Sequence, residues 1–278
     1  MSQTPEWMKP TPESAAFPPE IDMTVAHSAR MYDWWLGGKD NFPADRELGR
    51  AFLEVIPNMK EMARANRDFV SRAVRYLARE AQLSQFLDIG TGIPTSPNVH
   101  EIAQGIEPAS RVLYLDNDPI VLAHARALMT SSPEGRTAYI HADVREPEQI
   151  LSSPELQKVL DLDQPVGLMM VAVLMLLHDE EDPWGKTRTI MDALPSGSYM
   201  ALTHPSADFD PEAVARAVEA ATQAQVTLVP RERSAVQRFF GDWELVEPGL
   251  VPVMAWRPDE EPENPNATYY WAGIARKP

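Results

Sequence analysis

The chain has 278 residues, 44% of them hydrophobic, and no cysteine. That supports one large core and excludes disulfides, thiolate metal sites, iron–sulfur clusters and a cysteine nucleophile. With 25 basic against 41 acidic residues the net charge is −16, so phosphate backbones are repelled and nucleic acid is not an expected partner.

Residues 1–20 carry Pro5, Pro10, Pro12, Pro18 and Pro19 and read as a flexible arm with Trp7 and Phe17 as possible anchors. They lack the basic and apolar regions of a secretion signal, and the longest apolar run, Val166–Leu177, is too short to span a bilayer. No membrane association is expected, and the cysteine-free chain suits a cytoplasmic location.

Helical patterning runs in pieces from Met23 to Ala81, so residues 21–82 read as an N-terminal helical cap. Its clearest piece, Lys60–Ala81, shows an apolar stripe of Met62, Phe69, Val70, Ala73, Val74 and Leu77. The arginines interleaved with that stripe (Arg64, Arg67, Arg72, Arg75, Arg79) read as a solvated face. The stretch "MYDWWLGGKDNF" is unusual, because Gly37-Gly38 interrupts an aromatic-rich helix.

From Gln85 short apolar runs alternate with helix-length segments. "QFLDIG" precedes a helix expected to open at Ser96-Pro97, and "RVLYLD" precedes one opening at Asp118-Pro119. "TAYIHAD" follows, then "VGLMMVAVLMLLHD", read as a fully buried strand running into its loop. After a helix around Trp184–Leu194 come the strand "SYMALTH", a helix from Asp210-Pro211 and a short helix from Ser234 to Gly241. "WELVEPGLV" and "TYYWAGIARK" read as a final hairpin. This alternation predicts an α/β fold with a mostly parallel sheet, whose ligands bind beyond the carboxyl ends of the strands.

Three successive loops at those ends carry acids. In "LDIGTGIPT", Asp88 precedes Gly90 and Gly92, with Thr95 where a dinucleotide fingerprint has its third glycine; alone, G-x-G is equally an ordinary tight turn. Asp116 ends the next strand, where a carboxylate can accept from a ribose diol, while Asp118 reads as the cap of the helix behind it. Asp143 follows the third strand and could accept from an exocyclic amine, with the Val144 backbone beside it.

Together these loops resemble the class I S-adenosylmethionine-dependent methyltransferases, a Rossmann-like fold with a mostly parallel seven-stranded sheet. With "RANRDFVSRAVRYLARE", "NVHE" and "LLGGKDN"-type text the chain is similar to an actinobacterial family labelled S-adenosyl methyltransferase. The resemblance implies S-adenosyl-L-methionine as cofactor, with Asp88, Gly90 and Gly92 on its methionine part, Asp116 and Asn117 on its ribose, Asp143 and Val144 on its adenine, and residues 83–278 as the binding domain. It further implies a lid in which Tyr32, Trp34 and Trp35 cover the pocket and Gly37, Gly38, Lys39, Asp40 and Asn41 approach the cofactor or hold the lid. The reading with aromatics packing helices on the sheet and glycines ending a helix stays open beside it.

The expected activity is methyl transfer to a small-molecule acceptor. A cofactor-binding protein without turnover and, less favoured by Thr95 and Asp88, a nicotinamide-dependent oxidoreductase are the alternatives. His178 and His204 are candidate bases, although each reads first as a hydrogen-bonded loop histidine. The acidic run 179–182 reads as a helix-starting turn rather than a metal site, Met169, Met170 and Met175 as core, and Arg145 as a surface charge. The sequence does not identify the acceptor or the oligomeric state.

Overall fold

The computed structural model describes residues 22–278 apart from Met129; the proline-rich arm lies outside the described residues. Three helices come first: α1 (Ser28–Leu36), α2 (Pro43–Val55) and α3 (Met59–Arg79). The strands β1 (Gln85–Ile89), β2 (Arg111–Asp116), β3 (Arg136–His141), β4 (Gly167–Val171) and β5 (Tyr199–Pro205) are parallel. β6 (Glu244–Leu245) and β7 (Val251–Pro252) both pair antiparallel with β8 (Tyr270–Arg276), itself antiparallel to β5.

The sheet order is β3-β2-β1-β4-β5-β8-β6, with β7 also on β8. Eight strands therefore replace the expected seven. The Glu247-Pro248-Gly249 turn, with Gly249 at φ 88, splits one edge partner of β8 into the short β6 and β7, because proline cannot donate to the ladder and glycine admits positive φ. Strand order reverses between β1 and β4, which opens the crevice expected of such sheets beyond their carboxyl ends.

Alternation along the strands makes two cores. Leu87, Ile89, Leu113, Leu115, Leu168 and Met170 face one side, and Phe86, Val112, Tyr114, Met169 and Ala201 face the other, against α1, α2 and α3. Fully buried strands need apolar residues on both faces, which is why these runs lack polar alternation. The long apolar run 166–177 is not all strand. β4 ends at Val171, Ala172 turns the chain at φ 53, and Leu174–Leu176 form a 3-10 turn within the apolar interior.

The arginines of α3 are not simply solvated. Arg67 donates to the Thr95 and Pro97 carbonyls, Arg72 to those of Trp256 and Val253, and Arg75 pairs with Asp259. They tie the helix to both ends of the sheet domain. The helix α4 (Val99–Ile106) opens two residues later than expected, because Glu101 accepts the Asn98 N–H at 2.5 Å and closes a capping box there. Asp118 caps α5 (Pro119–Leu128) as expected, accepting the Ile120 N–H at 2.9 Å.

Candidate functional site

A cleft of about 940 Å³ lies over the carboxyl ends of β1, β2 and β4 and beside the loop after β3. Asp88, Gly90, Gly92, Asp116, Asn117, Asp143 and Val144 line it together with Tyr32 from α1. The fold thus gathers three acidic loops and the N-terminal helix around one space.

Gly90 and Gly92 adopt φ 72 and 68, a conformation glycine takes at little cost. A Cβ at Gly92 would meet nothing within 4 Å, so this loop presents bare backbone to the cleft. One at Gly90 would stand 2.5 Å from Val173 Cγ2. Asp116 Oδ2 accepts the Gly92 N–H at 2.7 Å and Oδ1 the Asp118 N–H at 2.9 Å. Each oxygen keeps a lone pair for a diol, and the glycine loop is fixed to the end of β2.

The carboxylates differ electrostatically. Burial at the cleft floor pushes Asp88 up to about 7, against the Arg67 charge and with help from Asp116. Burial likewise raises Asp116, against the hydrogen bonds from Asp118 and Gly92. Burial also acts on Asp143, but the Arg145 N–H, the Asn117 amide and the Arg145 charge outweigh it and hold that carboxyl below its ordinary value. A ligand carrying an ammonium, a diol and an exocyclic amine offers donors to all three.

Arg145 is no bystander on the surface. It meets Asp143 Oδ1 at 3.3 Å and Glu181 Oε1 at 2.6 Å, and donates to the Leu176 carbonyl at 2.6 Å, fixing the third loop to the turn after β4. His27 and Arg67 also line the cleft, with His27 Nδ1 3.1 Å from Asp118 Oδ2. Neither had a local signal: His27 precedes a short helix, and Arg67 is one of five arginines on α3 and reaches the glycine loop only through packing.

Gly37, Gly38 and Lys39, expected at the cofactor, lie outside the cleft wall. Gly37 ends α1 at φ 87. The chain then folds back on Asp33, whose Oδ2 accepts the Asp40 N–H at 3.0 Å and the Asn41 side chain at 2.7 Å. A Cβ on Gly38 would stand 1.9 Å from Asp33 Oδ1. The two glycines therefore make a helix end built around a buried carboxylate. Trp34 stacks beneath Arg50 and Lys60, whereas Trp35 donates to the Gly49 carbonyl and reaches an internal hollow.

The candidate bases lie elsewhere too. His178 is exposed and heads the turn Asp179–Glu181. His204 is fully buried in β5: Nδ1 faces the Pro205 carbonyl at 2.9 Å and Nε2 the Arg231 guanidinium at 3.0 Å. Burial, with the Arg231 charge, pushes it down to about 3. An Arg can only donate, so Nε2 accepts and the proton sits on Nδ1. The acidic run is divided among other tasks: Asp179 pairs with Arg231, Glu181 with Arg145, and Asp182 caps α8 (Pro183–Ala193).

A second hollow, of about 690 Å³, adjoins the cleft and shares Ser28, Tyr32, Met175 and Leu176 with it. Among the described residues no helix is long and apolar enough to cross a membrane.

The family described as S-adenosyl methyltransferase matches residues 14–278. A DUF574 family protein from Streptomyces avermitilis is 46% identical over 92% of this chain and 99% of its own, with a TM-score of 0.90. A protein from Thermobifida fusca described as a candidate methyltransferase is 40% identical over 95% of this chain and 99% of its own, at 0.86. The plantazolicin methyltransferase BpumL, solved with S-adenosylhomocysteine, shares the fold at 13% identity and a TM-score of 0.50, over 90% of this chain and 95% of its own. A comparison with curated proteins finds no match.

Proposed function

The chain belongs to the S-adenosyl methyltransferase family, and from that premise we propose which residues hold the methyl donor. It is an S-adenosylmethionine-dependent methyltransferase of Rossmann-like fold. The observation that carries the site assignment is the convergence of Asp88, Asp116 and Asp143, each at or just beyond the end of a successive strand, on one cleft. Asp88 and the Gly90–Gly92 backbone face the methionine end, Asp116 with Asn117 the ribose, and Asp143 with Val144 the adenine. Arg145 and Arg67 position these loops, and Tyr32 closes the side toward α1.

When bound, S-adenosylmethionine would supply an electrophilic sulfonium methyl and a neutral thioether as leaving group, held by Asp88 and the Gly90–Gly92 backbone, Asp116 with Asn117, and Asp143 with Val144. The leaving group needs no protonation, so the protein's work is alignment and exclusion of water. His178 and His204, placed as they are, take no part in this scheme. The acceptor is a small molecule and the reaction cytoplasmic.

Calorimetry tests the assignment. S-adenosylhomocysteine binds the wild-type chain, and Asp116→Ala weakens it by about 10- to 100-fold, the worth of a hydrogen bond to a charged group, while circular dichroism stays native. Unchanged affinity in Asp116→Ala defeats the ribose assignment.

A further inference from the structure

The methyl acceptor must meet the donor in line, with reacting atoms roughly 3–3.5 Å apart. Only a compartment that opens on the donor cleft can hold it. The second hollow is the candidate, because it adjoins the cleft across Ser28, Tyr32, Met175 and Leu176, which belong to both walls.

Its lining states what it accepts. No charged side chain is among the residues that line it. Met31, Met59, Met62 and Met175 supply adaptable thioether walls, and Trp35 and Phe52 supply rings. An ion placed there would lose its hydration and meet no opposite charge. Two of its three tyrosines are already engaged. The Tyr32 hydroxyl donates to the Ala63 carbonyl at 2.8 Å and accepts from Asn66 at 3.1 Å, and Asn66 in turn accepts from Thr203 at 2.6 Å. The Tyr269 hydroxyl donates to Asp210 at 3.2 Å. Tyr270, at the head of β8, is buried, and its hydroxyl makes no side-chain hydrogen bond among the described residues.

We propose that this hollow is the acceptor subsite and that it selects an uncharged, predominantly apolar ring compound, with Tyr270 as the hydrogen-bonding group that orients it. The inference rests on the donor assignment above. Tyr32, held between α1, α3 and β5 by its hydrogen-bond chain, is the partition past which the acceptor's nucleophilic atom meets the methyl group. The Tyr270 hydroxyl stays neutral, since burial raises it, with Tyr32 adding to the effect, so it serves as donor or acceptor of a hydrogen bond rather than as a base.

The test is calorimetry on the full chain with 1-naphthol as a neutral probe and 1-naphthalenesulfonate as its charged counterpart. Val226 and Leu228 line the hollow and are only half-buried, so they tolerate change. Val226→Trp, which fills the space, and Leu228→Glu, which charges it, each lower 1-naphthol affinity by at least about tenfold and leave S-adenosylhomocysteine affinity unchanged. Tyr270→Phe lowers it less and leaves the fold intact. The proposal is overturned if 1-naphthol fails to bind, if it binds both Val226→Trp and Leu228→Glu as tightly as the wild type, or if the sulfonate binds equally well. Binding of 1-naphthol without any binding of S-adenosylhomocysteine overturns the donor assignment and leaves the apolar ligand class standing.

Discussion

Asp88 shows how one residue couples the cleft to pH. Its carboxyl is pushed up to about 7 from an ordinary 3.8, chiefly by burial. Between those values the native state holds a proton that the unfolded chain has lost, so stability falls as pH rises through this window and levels off above it. Chemical denaturation across that range will show the slope, and Asp88→Asn will flatten it. A ligand ammonium placed beside it reverses the balance, because it favours the carboxylate. Binding of S-adenosylhomocysteine near neutral pH therefore releases a proton, seen as a dependence of the calorimetric enthalpy on buffer, and Asp88→Asn abolishes that release. The three acids and the two glycines were legible in the sequence as a group, because successive strand–loop units bring their loops to one end of the sheet. His27, Arg67 and Arg145 were not, because their roles come from elements far apart in the chain meeting at the cleft.

At the scale of elements, the corner between α1 and α2 and the turn after β4 are each built around one buried group. Gly38→Ala places a Cβ against the Asp33 carboxylate, which Asp40 and Asn41 hold in place. It costs about 1–3 kcal/mol in denaturant unfolding through the lost hydrogen bonds, more than Gly37→Ala, whose Cβ meets nothing and which bears only the strain of φ 87. The "LGGKDN" text was conspicuous in the sequence, but whether its glycines served a ligand or a helix end depended on where Asp33 pointed. Arg231 organises the second corner: its guanidinium donates to the Leu174 and Leu177 carbonyls, to Asp179 and to His204. That turn carries Met175 and Leu176, which with Ser28 and Tyr32 line both spaces. Arg231→Lys keeps the charge but loses the planar fork, so it loosens the turn, weakens 1-naphthol and S-adenosylhomocysteine binding together, and speeds amide exchange at 174–177. His204→Ala leaves that guanidinium short of a partner and costs about 2–4 kcal/mol of stability without moving the pH profile of turnover. The run 166–177 misled as one long strand because the turn begun at the half-buried Ala172 continues into the buried Val173 and Leu174, which are as apolar as the strand before them.

Over the whole molecule the net charge of −16 bears on ligands before contact. A sulfonium donor is drawn toward an acidic protein and an anionic acceptor is repelled, so association of S-adenosylmethionine slows with rising salt while that of 1-naphthol does not, a difference stopped-flow measurement resolves. The alternation of strand and helix made the sheet readable, but β6 and β7 were not separable, because the break between them depends on the short turn at Glu247-Pro248-Gly249. The second hollow left no trace in any motif: it is assembled from α1, α2, α3, the turn after β4, residues 205–230 and the head of β8, so only the assembled fold brings its walls together.

That assembly has a temporal side. Every residue lining the donor cleft falls between His27 and Leu176, whereas the acceptor hollow needs Tyr269 and Tyr270. A chain emerging from the ribosome has the whole wall of the donor cleft well before the strand that completes the other chamber. Yet β4 pairs with β5, β5 with β8, and α3 packs on Trp256, so residues made early take their final places in the cleft only when the last strand closes the sheet.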